Sequence, residues 1–98
     1  MEFEWDEEKN RANKAKHGIS FGAAIEVFED PNELTDFDQH IDGEDRWTTL
    51  GIASGATIVL VVHTDRTRGG IEIIRIISAR GATKDEKKRY ERQGRKNR

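Results

Sequence analysis

An α+β domain is what this sequence of 98 residues predicts, in the order β-α-α-β-β-β-β-α with a mainly antiparallel sheet. Three observations carry that expectation. Three strand-like runs, "RWTTLGIA" from 46, "ATIVLVVHT" from 56 and "IEIIRIISA" from 71, crowd the second half and are joined by short glycine-bearing connections. Two helix-patterned segments meeting at a glycine precede them, and a third follows. Finally, 98 residues, 34% apolar and 37% charged, suffice for one domain with one modest core.

The elements follow in order. "EFEWD" at 2–6 alternates, with Phe3 and Trp5 on one side, and predicts a short strand near a sheet edge. Asp6 is placed to cap the helix "EEKNRANKAKH". Glu7 and Glu8 in its first turn and Lys14, Lys16 and His17 near its last suit the helix dipole. Gly18 stops it. Its interior is polar apart from alanines, so it is expected to pack weakly or by an alanine edge. Ser20 caps a second helix, "SFGAAIEVFED", whose Phe21, Ala24, Ile25 and Phe28 form one stripe and which Pro31 ends. The pair reads as an αα-hairpin.

"ELTDF" predicts a weak strand and "DQHIDGED" a turn. "SG" signals a hairpin between the next two strands, and "DRTRGG" a longer loop before the last. "TKDEKKRYERQ" is the final helix, with Thr83 and Glu86 forming a capping box. The domain is expected to span 1–93, with 94–98 a frayed basic tail lacking apolar anchors. The central strands are apolar on both faces, so the helical hairpin should cover one face and the last helix part of the other. Strand parity groups Ile73, Arg75, Ile77 and Ala79 on one face of the last strand, and Ile74, Ile76, Ser78 and Arg80 on the other. Arg75 and Arg80 are therefore expected on opposite faces.

Several function classes drop out. The acidic opening "MEFEWDEEKNR" has no apolar run of the signal-peptide type, and "TIVLVV" is far too short to span a bilayer. There is no cysteine, hence no disulfide framework and no thiolate chemistry; a reducing cytoplasm fits. "DFDQHIDGED" fails as a calcium loop, since counting from Asp38 puts His40 third and Thr49 twelfth, where Glu is required. No zinc motif, P-loop or dinucleotide fingerprint occurs, so neither metal nor cofactor is expected. Ser78 lacks the GxSxG elbow of a serine nucleophile.

What remains is charge. The net −2 hides a basic C-terminal part: residues 80–98 hold 9 Lys/Arg against 3 Asp/Glu, while residues 1–45 hold 4 against 14. A polyanion such as RNA suits the former; the latter resists nonspecific wrapping by nucleic acid. Arg75 lies among inward isoleucines and must find an anionic partner, either a carboxylate such as Glu72 or Asp45 or a ligand. Arg80 ends the last strand just before a helix N-terminus, where phosphate is attracted. Arg46, Arg66 and Arg68 lie at strand ends or in the adjoining loop and can converge with them. His63 is either a general acid or base or a core histidine with a satisfied hydrogen bond. Tyr90 can pack on the sheet or offer its hydroxyl to a phosphate. Cations without a metal or nucleophile motif suit cleavage by the RNA 2′-hydroxyl with arginine stabilising the phosphorane, and equally suit simple RNA or phosphate binding.

Four blocks in order, "EFEWDEEKNRANKAKHGISFGAAIEVFEDP", "EDRWTTLGIA", "VLVVHTDR" and "RIISARGATKDEKKRYE", resemble the BrnT family of toxins over residues 2–91. The resemblance implies a RelE-like fold and a metal-independent endoribonuclease acting in the cytoplasm. It implies a bacterial type II toxin–antitoxin system that blocks protein synthesis. It also implies a BrnA-type antitoxin partner with a ribbon-helix-helix part, through which alone operator DNA is met. Carried over residue by residue, it marks Glu44, Arg46, His63, Arg66, Arg75, Ser78, Arg80 and Tyr90. Read with the charge pattern, Arg75 and Arg80 are expected to stabilise the transition state, His63 to transfer the proton, and Ser78 or Tyr90 to position the phosphate. Arg46, Arg66, Arg68 and Tyr90 would hold RNA. Gly81 departs from the family's usual basic residue, which implies one phosphate contact fewer. The competing expectation is a non-catalytic RNA- or partner-binding module, including a degenerate toxin that keeps antitoxin binding alone.

Overall fold

Five strands, β1 (Glu2–Glu4), β2 (Leu34–Ile41), β3 (Glu44–Ala53), β4 (Thr57–Arg68) and β5 (Ile71–Gly81), form one sheet in the order β1-β5-β4-β3-β2. The computed structural model describes residues 1–96. Only β1 pairs in parallel, with β5; the other pairings are antiparallel. Helices α1 (Glu7–His17) and α2 (Phe21–Ala24) follow β1, a 3-10 turn (Ile25–Glu29) leads to β2, and α3 (Lys84–Lys96) closes the chain. The expected α+β order is observed. Gly94–Lys96 form the last turn of α3; residues 97 and 98 of the expected tail lie outside the described residues.

The caps behave as their side chains dictate. The Asp6 carboxylate accepts from the N–H of Glu8 at 2.9 Å and of Lys9 at 3.2 Å. Gly18, at φ 76°, sends its N–H to the Lys14 carbonyl. The Ser20 hydroxyl accepts from Ala23 N–H at 3.1 Å. How α1 packs was not expected. Its anchors are asparagines rather than alanines. Asn13 is 8% exposed and donates to the Ala79 carbonyl (2.8 Å) and the Ile19 carbonyl (3.0 Å) while accepting from Ala79 N–H (3.1 Å). Asn10 accepts from Phe21 N–H at 2.8 Å. A polar helix is thereby fixed to β5 by directed bonds.

The second helix is shorter than its apolar stripe suggests and tightens into the 3-10 turn as it crosses β3. Gly51 permits that approach: a Cβ there would stand 2.8 Å from Val27 Cβ and 2.9 Å from the Val27 carbonyl oxygen. The expected turn over 38–45 is mostly strand, because Asp42 (φ 52°) and Gly43 (φ 78°) alone reverse the chain. Likewise Gly69 and Gly70, at φ 58° and 80°, make the whole β4–β5 turn, so Arg66 and Arg68 stand on β4 rather than in a loop.

The sheet has two unlike faces. On one, Phe21, Ala24 and Val27 pack with Val59, Val61, Ile74, Ile76 and Ala79, flanked by Phe3, Trp5 and Phe28. On the other, Leu50, Leu60 and Tyr90 form a smaller cluster with Leu34, Ile58 and Ala82, so α3 covers only one end. The ladder between β4 and β5 steps from Val62↔Ser78 to His63↔Ile76, leaving Ile77 as the extra residue of a β-bulge. Parity reverses there. Arg80 stands opposite Leu60, Ser78 opposite Val62, and Arg75 opposite Thr64. Residues paired across a ladder share a face. Arg75 and Arg80 are thus on the same face, contrary to the alternation counted along the sequence.

Candidate active site

That shared face, beyond the end covered by α3, holds a cross-strand row: Arg46 on β3, Thr64 on β4, Arg75 on β5 and Glu4 on β1. Glu4 pairs with Arg75, and Arg75 with Thr64. Thr48 pairs with Val62, so two residues further along each strand Arg46 and Thr64 fall on the same face. Beside the row lie Val62 and Ser78; beyond them, Leu60 and Arg80.

The arginines differ in how they are held. Arg75 approaches Glu4 at 3.8 Å with both side chains half-buried, so its carboxylate is neither Glu72 nor Asp45. Arg66 lies 3.5 Å from Glu44 on the neighbouring strand. Arg80 makes a bidentate pair with Glu86 at 2.8 and 3.1 Å. Glu86 also accepts Thr83 N–H at 2.8 Å, and Glu86 N–H reaches the Thr83 hydroxyl at 3.2 Å, which is the expected capping box. The Arg80 guanidinium, and then the capping bonds, hold the Glu86 carboxyl down at about 2, although burial opposes this. Arg46 is in no ion pair among the described residues, and its Nε is buried without a hydrogen-bond partner. The Thr64 hydroxyl is likewise buried and unpartnered.

Distance decides which cations can act together. The partners of Arg75 and Arg80 on β4 are Thr64 and Leu60, four residues or about 13 Å apart. Two guanidinium groups on long side chains can close on one phosphate across that span, with Ser78 between them. Arg66 is two residues, about 7 Å, from Thr64. Arg68 pairs with Ile71 at the far turn, eight residues or about 26 Å from Leu60, and does not join Arg80.

Besides Arg68, two expected site residues lie elsewhere. His63 is on the helix-covered face, 1% exposed and stacked edge-on against Phe28 with centroids 5.1 Å apart. Its Nδ1 bonds Asp65 at 2.6 Å and its Nε2 the Thr49 hydroxyl at 2.8 Å. Both ring nitrogens are engaged inside the core, so His63 does not meet the arginines. Tyr90 is 7% exposed and donates its hydroxyl to Asp30. Burial and that carboxylate push the phenol up to about 12. Tyr90 therefore pins α3 to the segment before β2 instead of presenting a free hydroxyl.

A hollow of about 490 Å³ opens beside the row, lined by Glu44, Asp45, Trp47, Thr64, Asp65 and Arg66, with Gly43 at its rim. Its three carboxylates leave Arg66 as the one cation there. Among the described residues no group of three His, Asp or Glu side chains is placed to hold a metal ion, and no helix is long and apolar enough to cross a membrane.

The family model described as "Ribonuclease toxin, BrnT, of type II toxin-antitoxin system" matches residues 5–86. The chain belongs to the BrnT toxin family. No curated protein matches it. BrnT toxins are ribonucleases, so RNA is the substrate class and an antitoxin the partner. The matched segment contains Arg46, Arg66, Arg75, Ser78 and Arg80, and stops short of Tyr90. Gly81 pairs with Val59, whose side chain faces the helices, so a basic side chain there would point away from the arginine row.

Sequence reasoning missed Glu4 and Thr64. Nothing in "EFEWD" shows that β1 lies parallel to β5, and Thr64 reads as one more strand residue.

Proposed function

We propose that this BrnT chain has a RelE-like fold and is a metal-independent endoribonuclease that stops protein synthesis in the cytoplasm. The observation that carries this is the line Arg75–Ser78–Arg80 on one open sheet face of a ribonuclease-family chain. In this reading an RNA phosphate lies over Val62 and Ser78. The neighbouring 2′-hydroxyl attacks phosphorus, the bond to the 5′-oxygen breaks with that oxygen taking a proton from water, and a 2′,3′-cyclic phosphate remains. Arg75 and Arg80 stabilise the doubly charged phosphorane, and the Ser78 hydroxyl orients an oxygen. With His63 in the core, Glu4 beside Arg75 is the carboxylate assigned to take the 2′-hydroxyl proton. Arg80 must exchange Glu86 for phosphate to take part.

The antitoxin is proposed to be of BrnA type, with a ribbon-helix-helix part that makes the contacts to operator DNA. The acidic first half, with 14 Asp/Glu against 4 Lys/Arg in residues 1–45, supports leaving DNA to the partner.

Cleavage of RNA in EDTA tests the reading. Arg75→Ala should lower the rate about a hundredfold, about 3 kcal/mol of barrier, with the fold intact. Full activity in that variant removes Arg75 from the mechanism. The bidentate Arg80–Glu86 pair favours a second reading, in which the chain binds RNA or antitoxin without cutting. Growth arrest on expression, relieved by the antitoxin, excludes it.

A further inference from the structure

We propose that Thr64 is a phosphate-positioning residue of this face, its hydroxyl acting with Arg46 Nε on the RNA backbone. This rests on the ribonuclease reading and adds to it a residue that neither the family match nor the sequence singles out.

Buried hydroxyls in folded proteins almost always have a partner, and one without a partner lowers stability. Thr64 is 4% exposed and its hydroxyl has none. The other buried side-chain atom left unpaired among the described residues is Arg46 Nε. Parity puts the two on the same face of neighbouring strands, with Arg75 across the other ladder. Two unmet polar groups side by side, one on a cation lacking a carboxylate partner, are arranged for an anion that brings oxygens to both. Arg75 and Arg66 are each about two-fifths exposed and already paired, through Glu4 and Glu44. Those two carboxylates limit how much further negative charge the row accepts, which makes Arg46 the cation whose charge is unspent. The neighbours of Thr64 on its face are Val62, Arg46, Arg66 and Arg75. Three of these are long, flexible side chains, and their movement onto a phosphate uncovers the hydroxyl.

Across the same sheet, Thr49 is equally buried, but its hydroxyl is bonded to His63 and Thr35 at 2.8 Å each. A threonine serving structure is satisfied in this fold. Thr64 is not.

The test compares Thr64→Val, which keeps the shape and removes the hydroxyl, with Thr64→Ser, which keeps the hydroxyl. Cleavage of a short RNA oligonucleotide and thermal unfolding are both measured. Valine should cut about tenfold or more slowly, as expected for losing a hydrogen bond to a charged group, and serine should stay within about threefold of the parent. The valine variant should melt at the same temperature or higher, because an unpaired buried hydroxyl has gone. A structural hydroxyl would give the reverse, lower stability with cleavage preserved. Parent-like cleavage by the valine variant overturns the proposal while leaving the ribonuclease reading standing. If the parent itself cuts nothing, that reading falls, and binding of the same oligonucleotide decides on Thr64. Weaker binding by valine than by serine supports the role; equal binding, or none by the parent, overturns it. Should the valine variant fail to fold, Thr64→Ala against Thr64→Ser gives the same comparison.

Discussion

Glu86→Gln isolates the contact that ties the site to the fold. In the parent, Glu86 receives both Arg80 nitrogens and the Thr83 N–H, and its side chain is 19% exposed. Its carboxyl is held at about 2 against an ordinary 4.5, chiefly by Arg80. A shift of that size corresponds to about 3 kcal/mol of preference for the charged form in the folded state. Arg80 is 38% exposed, so solvent screens the pair and about 1–2 kcal/mol is the expected contribution. The folded-state pKa is depressed. The contribution is therefore complete above the unfolded value near 4.5 and is lost as pH falls through about 2. Glutamine should cost about 1–2 kcal/mol at pH 7, on the order of 5–15 °C in melting temperature for a chain of this size. Near pH 2 the two proteins should converge. Urea unfolding at pH 7, 4 and 2.5 reads this directly. Equal stability at pH 7, or a gap that persists unchanged at pH 2.5, would refute the argument. The same variant releases Arg80, so RNA affinity should rise if Arg80 must leave Glu86 to meet phosphate.

Asn13→Ala removes three hydrogen bonds and strands the buried Ala79 N–H. A loss of about 2–4 kcal/mol is expected in denaturant unfolding, with amide exchange rising first at the junction of α1 and β5. His63→Ala deletes a fully buried ring bonded at both nitrogens and packed on Phe28. It should cost about 2–4 kcal/mol of stability. Single-turnover RNA cleavage well below its melting temperature should stay within about threefold of the parent, and a loss of about a hundredfold in folded protein would restore His63 to the chemistry.

Much of the fold is legible because local chemistry dictated it. Asp6, Gly18, Ser20 and the Thr83–Glu86 box each leave a backbone group with a specific partner, and each does so in the structure. Turn lengths were less legible. "DG" and "GG" alone reverse the chain, and the polar residues around them, from Asp38 to Ile41 and from Asp65 to Arg68, extend the strands. Polar composition reads as loop, yet strand ends that project beyond the helices carry polar side chains for the same reason loops do. The role of Asn10 and Asn13 was hidden because an asparagine on a helix looks solvated until its partner is known, and the Ala79 partner is 66 residues away.

The site turned on a single residue. In "IEIIRIISAR" every odd or even assignment buries isoleucines, since Ile73, Ile74, Ile76 and Ile77 occupy both parities. A bulge at Ile77 therefore leaves no trace in the hydrophobic pattern, although it reverses every side chain after it. The buried alanine shows which alternative the fold takes. Ala79, not Arg80, meets the Asn13 side chain and the helix-side cluster, and only the bulge permits that together with an inward Ile74 and Ile76. Had the strand run regularly, keeping Ala79 against α1 would have turned Arg75 toward Phe3 and Phe28 and left Glu4 alone on the open face. Anchoring α1 and aligning Arg75, Ser78 and Arg80 are consequently one structural event. Variants that weaken the Asn13 contact should therefore disturb RNA cleavage more than an equal loss of stability introduced at the Tyr90–Asp30 contact of α3.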